Sequence, residues 1–209
     1  MKSIKTLFTS ILFVSSISWS LTNQLNLYIP EFDNLKNVEY IYRGKKLGRG
    51  SAVIEGLNFS QENFNSEIFV EMDADLSHDP KEINPMLNLL DSNDLVIGSR
   101  YKGGLRVINW PVRRLYISYF ANIYARTITG VPVKDLTAGF KAWTKDCLER
   151  INFDECSSQG YCFQIETSFR AFQKGCKLIE HPIVFTCLLY TSDAADALLC
   201  VDLGGRRII

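Results

Sequence analysis

The chain has 209 residues, 46% hydrophobic and 22% charged, which is enough for one globular domain with a sizeable core. Its 23 Lys and Arg residues equal its 23 Asp and Glu residues, and this balance argues against a nucleic-acid-binding protein. The six cysteines include no Cys-x-x-Cys pair and the chain holds only two histidines, so a zinc site is not expected.

Both ends of the chain differ in character from its middle. Residues 1–30 are a hydrophobic segment, in which Lys2 and Lys5 precede a serine-rich apolar run. The run is compatible with a helix followed by a strand, with a signal or anchor segment, or with a damaged reading frame. Residues 187–209 form an atypical tail that need not be native. We therefore expect one partial domain over residues 31–186.

Strand and helix patterns alternate through that domain. In chain order the predicted elements are a strand at 38–42, a helix at 51–57, a strand at 68–72, a helix at 80–90, a strand at 95–97, a helix at 111–128, a turn and short strand within 134–143, a helix at 161–174 and a strand at 178–185. This alternation predicts an α/β fold, a mostly parallel sheet with helices on both faces. In such sheets, ligands bind at the carboxyl ends of the strands.

Two aspartates follow the apolar run that ends at Met72. Asp73 and Asp75 are two residues apart, so their side chains leave the end of a strand on the same side. Neighbouring carboxylates repel each other, and a hard divalent cation that also contacts a substrate diphosphate would relieve this repulsion. The alternative is a solvated turn, in which aspartate and serine are common. His78, just beyond, is expected to serve in a turn or as a cap.

A cluster of basic residues follows the next predicted strand. Its members within fifteen residues are Arg100, Lys102, Arg106, Arg113 and Arg114. Because the carboxyl ends of parallel strands meet at one edge of a sheet, we expect this cluster to lie beside the two aspartates. A metal site next to several guanidinium groups indicates a phosphorylated substrate.

Residues 44–186 resemble the polyprenol (dolichol) phosphate mannosyltransferases, which are inverting glycosyltransferases with the GT-A fold. The matching motifs, in order, are Lys46–Gly56, Met72–Pro80, Gly98–Tyr101, Trp110 with Arg113 and Arg114, Asp135–Phe140, Gly160–Glu166 and Glu180–Phe185. The resemblance implies a Rossmann-like GT-A fold. It also implies that this fold is incomplete at the N-terminus, because the Pro-Thr-Tyr-Asn-Glu and Asp-Asp motifs of the family's first two strands are missing.

The resemblance further implies roles for individual residues. It gives Asp75, Arg114 and Ser118 as catalytic, Asp73, Ala74, Arg100, Arg113 and Asp135 as substrate-binding, and Asp73 and Asp75 as ligands of Mg²⁺ or Mn²⁺. Arg114 and Ser118, one helical turn apart, would face a lipid phosphate. That phosphate is largely ionised at neutral pH, so cations rather than a general base are expected around it.

The implied reaction moves mannose from GDP-mannose to a polyprenyl (dolichyl) phosphate with inversion. The implied partners are these two substrates and a membrane surface, but no nucleic acid, and the location is peripheral on the cytoplasmic face of a membrane. Whether a small membrane-anchor protein also takes part stays open. Transfer of another sugar, such as glucose, remains open. Two further alternatives are a haloacid-dehalogenase-like phosphatase that uses the Asp-x-Asp pair and an inactive glycosyltransferase fragment.

Overall fold

A computed structural model of the chain describes residues 9–14, 41, 48–73, 75 and 77–187, with only the backbone of 9–14 and of Asp154. In chain order, its elements are β1 (Thr9–Val14), α1 (Arg49–Asn63), β2 (Ile68–Asp73), a 3-10 turn (Pro80–Glu82), α2 (Ile83–Leu89), β3 (Leu95–Ser99), β4 (Val107–Ile108), α3 (Val112–Thr129), β5 (Lys141–Thr144), α4 (Lys145–Ile151), a 3-10 turn (Phe153–Glu155), α5 (Gly160–Gln173), β6 (Leu178–Pro182) and β7 (Phe185–Thr186).

Five strands form the main sheet in the order β1-β2-β5-β3-β6. Strand β1 is parallel to β2 and β3 is parallel to β6, whereas β5 is antiparallel to both of its neighbours. Four strands therefore point the same way and one is reversed. This topology confirms the predicted α/β class and the mostly parallel sheet. The short strands β4 and β7 pair in parallel in a second, two-stranded sheet.

Side chains alternate across the sheet and bury two apolar clusters. On one face, Phe69 of β2 and Trp143 of β5 join residues of α1, α3, α4 and α5. On the other, Val70 of β2 and Ala142 of β5 pack with Met86 of α2 and its neighbours. Helices therefore cover both faces, as predicted. The alternation also turns Glu71 and Asp73 of β2 towards the same face as Phe69.

Most predicted elements are present, and two predictions need correction. Within residues 1–30, for which the sequence left several alternatives open, the structure describes Thr9–Val14, which form β1 and pair with β2 from Thr9 opposite Ile68 to Val14 opposite Asp73. The strand predicted at 178–185 is two strands in different sheets, since the chain leaves the main sheet after Pro182. The helix predicted at 51–57 is longer and covers Arg49–Asn63. The strand predicted at 38–42 falls outside the described residues, except for Ile41.

Helix α3 exposes an unusually apolar surface. Only Asn122 and Ala125 of its eighteen residues are buried, and Gly130, in the left-handed conformation at φ 68°, ends the helix. Its exposed large apolar side chains are Val112, Tyr116, Ile117, Tyr119, Phe120, Ile123, Tyr124 and Ile128. Within the described part of the chain, no helix combines the length and the apolar character that a membrane crossing requires.

Candidate active site

The predicted site residues collect at one edge of the main sheet. Strands β2 and β3 end there, at Asp73 and Ser99, and the antiparallel strand β5 begins there, with Lys141 paired to both Glu71 and Ile97. The loop of residues 135–140 that leads into β5 therefore lies between the ends of β2 and β3. This is the edge at which α/β sheets bind their ligands.

Asp73 is a largely buried carboxylate with one close cationic partner. Its Oδ1 lies 2.5 Å from Nη2 of Arg49, the first residue of α1, and its backbone N–H donates to Nδ1 of His78 at 3.1 Å. Burial is the main cause that raises the pKa of Asp73 to about 6, with Asp75 and Glu71 adding to the rise and Arg49 opposing it. Burial also lowers the pKa of His78 to about 4, so this histidine is a neutral acceptor at neutral pH.

Asp75 is exposed and lies in a turn. Its Oδ1 accepts from the backbone N–H of Ser77 at 3.0 Å and from the Ser77 hydroxyl at 2.5 Å, which is the turn geometry that the sequence offered as an alternative. Among the described residues, no three or more His, Cys, Asp or Glu side chains are grouped to hold a metal ion. Two carboxylates suit a hard cation nonetheless, because Mg²⁺ commonly takes only one or two protein carboxylates and completes its shell with water and phosphate.

A buried polar network supports the strand that carries Asp73. Lys141 is fully buried, and its ammonium donates to the backbone carbonyl of Gln164 and to the Thr167 hydroxyl, both at 2.9 Å. The Gln164 amide in turn donates to Oε1 of Glu71 at 2.6 Å. Burial raises the pKa of Glu71, which Lys141 and Arg49 oppose, and burial lowers the pKa of Lys141 to about 8. The network ties β2 and β5 to α5 directly beneath the site.

Arg100 and Asp135 form a buried ion pair that joins β3 to the loop before β5. The carboxylate of Asp135 accepts from the Arg100 backbone N–H at 2.9 Å, from Nε at 2.7 Å and from Nη2 at 2.6 Å. Nη2 also donates to the Thr137 hydroxyl at 2.7 Å, and the Asp135 backbone N–H donates to Glu180 at 3.0 Å. Although burial acts to lower it, the pKa of Arg100 is raised by Asp135. The pair is buried, and these hydrogen bonds constrain its geometry.

An aromatic cluster connects this ion pair to α3. The ring of Trp110 lies between two guanidinium groups, 5.2 Å from that of Arg100 and 4.3 Å from that of Arg114. Arg114 also donates to the sulfur of Cys187 at 3.4 Å. The Tyr101 hydroxyl donates to that of Ser118, on the next turn of α3, at 2.7 Å.

The structure thus brings most of the predicted site residues to one edge. Asp73 and Asp75 lie at the end of β2, and His78, which accepts from the Asp73 N–H, packs against Phe185. The guanidinium of Arg100, the partner of Asp135, lies over the same Phe185 ring. Arg114 and Ser118 reach this area from α3 through Trp110 and Tyr101. Arg113 points to solvent. Ala74 falls outside the described residues.

Several contributing residues were not predicted from the sequence. Arg49, Glu71, Lys141 and Asn122 all contact the site or support it. Glu71 could have been found, because it continues the two-residue spacing of Asp73 and Asp75 to the same strand face. Arg49 offered no such signal, since its place depends on how α1 packs across the sheet.

Comparisons with known proteins show which family the chain resembles. A family model described as Glycosyl transferase family 2 matches residues 22–152. The chain is 41% identical to the polyprenol monophosphomannose synthase of Mycolicibacterium smegmatis over 80% of its own length, and 38% identical to the undecaprenyl-phosphate mannosyltransferase of Micrococcus luteus over 71%. It spans 61% of the length of each of these relatives.

A likeness to a solved structure is more distant. The crystal structure of glucosyl-3-phosphoglycerate synthase from Mycobacterium tuberculosis with uridine-diphosphate shares 16% identity and a TM-score of 0.48 with this chain, over 73% of this chain and 50% of that one. A likeness at this TM-score says nothing about function.

Proposed function

The chain belongs to glycosyl transferase family 2, and from that premise we propose that it transfers mannose from GDP-mannose to a polyprenyl (dolichyl) phosphate with inversion. Its mostly parallel sheet with helices on both faces is the Rossmann-like GT-A fold that the resemblance predicts. The observation that carries the proposal is the meeting of two carboxylates, Asp73 and Asp75, with the Arg100–Trp110–Arg114 cluster at one edge of the sheet.

The donor binds at the end of β2 in this proposal. Asp75, with Asp73, would hold Mg²⁺ or Mn²⁺, and the ion would neutralise the charge that grows on the leaving diphosphate. Ala74, the residue between these two aspartates in the sequence, would contact the sugar nucleotide. Asp135 and Thr137 hold two of the three guanidinium nitrogens of Arg100. We therefore propose that Arg100 contacts phosphate through its remaining nitrogen, Nη1.

The acceptor binds beside α3. Arg114 and Ser118 lie one helical turn apart on the side of α3 that faces the Trp110 and Tyr101 rings, where a guanidinium and a hydroxyl could hold an anionic phosphate. Arg113, exposed on the same turn, adds positive charge. An oxygen of the lipid phosphate would bond to the anomeric carbon as the bond from that carbon to GDP breaks, so the configuration inverts. The phosphate is already ionised at neutral pH, and no general base is required.

The exposed face of α3 suggests where the lipid comes from. A helix with eight exposed apolar or aromatic side chains, three arginines and no acidic residue has the composition of a helix lying on an anionic membrane surface. We propose that α3 rests on the cytoplasmic face of a membrane, so that a lipid phosphate at the headgroup level reaches Arg114.

Two variants should distinguish the donor site from the acceptor site. Asp75→Ala should abolish Mn²⁺-dependent binding of GDP-mannose, whereas Arg114→Ala should preserve donor binding and weaken the lipid phosphate acceptor. Donor binding is measured by calorimetry with and without Mn²⁺, and transfer with radiolabelled GDP-mannose and a polyprenyl phosphate in detergent. If both variants lose both substrates equally, misfolding is the cause. Hydrolysis of a phosphate monoester without any nucleotide-sugar binding would instead support the phosphatase.

The membrane assignment has its own test. Tyr116→Ser with Phe120→Ser should weaken binding to vesicles of anionic phospholipid about tenfold or more, since two apolar side chains leave the contact. Phe172→Ser, which alters an exposed aromatic residue on α5, is the matched control and should bind as the wild type does. Unchanged vesicle binding in the double variant would refute the role of α3.

A further inference from the structure

Arg49 lies at the centre of the proposed donor site and has no role in the mechanism above. It is the first residue of α1, and its guanidinium reaches across to the end of β2. The Nη2 atom lies 2.5 Å from Oδ1 of Asp73 and 4.0 Å from Oε1 of Glu71. The carboxylate proposed to meet the metal and the sugar nucleotide is therefore already paired with a cation of the chain.

The pairing of Arg49 is incomplete. Neither its Nε nor its Nη2 makes a well-aligned hydrogen bond to any residue that the structure describes, although both atoms are shielded from solvent. The side chain as a whole is still 30% exposed. A guanidinium has five N–H donors in a rigid fork, and the donors on Nε and Nη2 of Arg49 are not fully used in this arrangement. A phosphate offers several oxygens that could accept from these donors at once in a bidentate contact.

The charges around Asp73 also favour an exchange of partners. Three carboxylates follow one another along β2 and the turn beyond it, at Glu71, Asp73 and Asp75, and they face the two cations Arg49 and Lys141. One negative charge remains. A divalent cation reverses that sign and repels the nearer cation, Arg49, whereas Lys141 is held by Gln164 and Thr167. A diphosphate that arrives with the metal then supplies the charge that Arg49 needs.

A glycine leaves the space that Arg49 occupies. A Cβ built on Gly139 would overlap with Nη2 of Arg49, while the backbone of Gly139 is not in the positive-φ region that excludes other residues. The atom that would be displaced is the end of a flexible side chain. Gly139→Ala therefore offers a way to push the guanidinium away from Asp73 without removing its charge.

We propose that Arg49 is a placeholder cation, which pairs with Asp73 in the ligand-free protein and moves to the donor diphosphate when a divalent metal binds. This inference rests on the proposed donor site at Asp73 and Asp75. Arg49 becomes a substrate-binding residue, and its competition with the metal for Asp73 couples metal binding to donor binding.

The first test measures Mn²⁺ alone, without nucleotide. Arg49→Met removes the competing cation, so Mn²⁺ should bind about tenfold more tightly than to the wild type. Gly139→Ala should tighten Mn²⁺ binding in the same direction, because the displaced guanidinium no longer covers Asp73. Free Mn²⁺ is followed by its electron paramagnetic resonance signal in a titration of the full chain.

The second test measures GDP at saturating Mn²⁺ by calorimetry. Arg49→Met should weaken GDP binding about tenfold, because one charge-assisted contact to the diphosphate is lost. Gly139→Ala retains the arginine and should bind GDP at least as well as the wild type. Arg49→Met should therefore bind Mn²⁺ more tightly and GDP more weakly than the wild type. This combination is what an exchange of partners by Arg49 predicts.

The control is Arg150→Met, which removes an exposed arginine paired with Asp146 on α4, at the opposite edge of the sheet. It should leave both titrations unchanged, and thermal unfolding of every variant verifies that it folds. If the wild type binds Mn²⁺ and GDP but both site variants bind Mn²⁺ as the wild type does, the placeholder role is wrong and the donor site stands. If the wild type binds neither ligand, the donor site itself is wrong, and the inference falls with it.

Discussion

Two arginine–aspartate pairs lie at the same edge of the sheet and differ in almost every respect. Arg100 and Asp135 are buried and joined by three hydrogen bonds, and each has a further polar partner. Arg49 and Asp73 share one ion pair, and the guanidinium keeps 30% exposure and unused hydrogen-bond donors. The first pair is therefore joined by several hydrogen bonds, and the second by one ion pair.

The difference assigns the two pairs to different tasks. A buried pair joined by several hydrogen bonds can be broken only at high cost, so Arg100–Asp135 fixes the position of the loop before β5. A partly exposed pair with poor alignment contributes little to stability and can exchange its partner. The site therefore combines a rigid frame, the Arg100–Asp135 pair, with one changeable contact, the Arg49–Asp73 pair, and four experiments test this difference.

The largest effect should come from the rigid pair. Arg100→Met leaves Asp135 as an uncompensated buried charge, which should lower the free energy of unfolding by about 3–5 kcal/mol. Urea denaturation of the metal-free protein measures the change. Arg106→Met, which alters an exposed arginine near the same strand, is the control and should change stability by less than about 0.5 kcal/mol. If Arg100→Met also lowers the free energy of unfolding by less than about 0.5 kcal/mol, the ion pair does not stabilise the fold.

The burial of Lys141 allows a prediction of how the free energy of unfolding depends on pH. Its pKa is lowered by burial to about 8, against the attraction of Glu71. In the unfolded chain the pKa returns to about 10.4, so between these values the folded protein holds fewer protons than the unfolded chain. The free energy of unfolding should therefore rise with pH across this window, by at most about 3 kcal/mol.

Denaturation at several pH values from about 7 to about 10.5 measures this rise. The double variant Glu71→Gln with Lys141→Met is the control, because it removes both buried charges while cysteines and tyrosines still titrate. Subtracting its curve isolates the contribution of Lys141. An identical pH dependence in the two proteins would mean that Lys141 is not desolvated as the structure indicates.

Much of the fold could be predicted because its signals are local. The apolar runs before Asp73 and Gly98 predict β2 and β3, and the recurrence of apolar residues at three and four predicts α3 and α5. Helix α4 was missed because it follows β5 directly, although Thr144, whose hydroxyl accepts from the Cys147 N–H, is a recognisable N-cap. The reversed direction of β5 is not local, since it depends on the path of the chain around α3.

Motifs and sheet topology predict part of the site. Asp73 and Arg100 follow strands that end at one edge, and their proximity follows from that alone. The pairing of Arg100 with Asp135, 35 residues apart, could not be predicted, because it depends on how the loop before β5 folds back. The position of Arg49 likewise results from helix packing rather than from any spacing in the sequence.

Substitution of Asn122 measures how strongly α3 holds the loop of residues 135–140, which carries Asp135. Its Oδ1 accepts from the backbone N–H groups of Leu136 and Thr137 at 2.7 and 3.3 Å, and it is buried within α3. Asn122→Ala leaves two buried amides without partners and should lower the free energy of unfolding by about 2 kcal/mol. Thr127→Ala removes an exposed hydroxyl on the same helix and is the control, measured by the same urea denaturation. Equal stability of the two variants would mean that water replaces the amide.

The smallest change in stability is expected at the Arg49–Asp73 pair, and it tests most directly whether the two ion pairs differ. Arg49→Met should lower the free energy of unfolding of the metal-free protein at pH 7 by less than about 1 kcal/mol. The Asp73 side chain keeps 17% exposure and that of Arg49 keeps 30%, so solvent screens the charge that remains when Arg49 is removed. A loss for Arg49→Met as large as that for Arg100→Met would make both pairs structural, and Arg49 could then not leave Asp73 for a diphosphate.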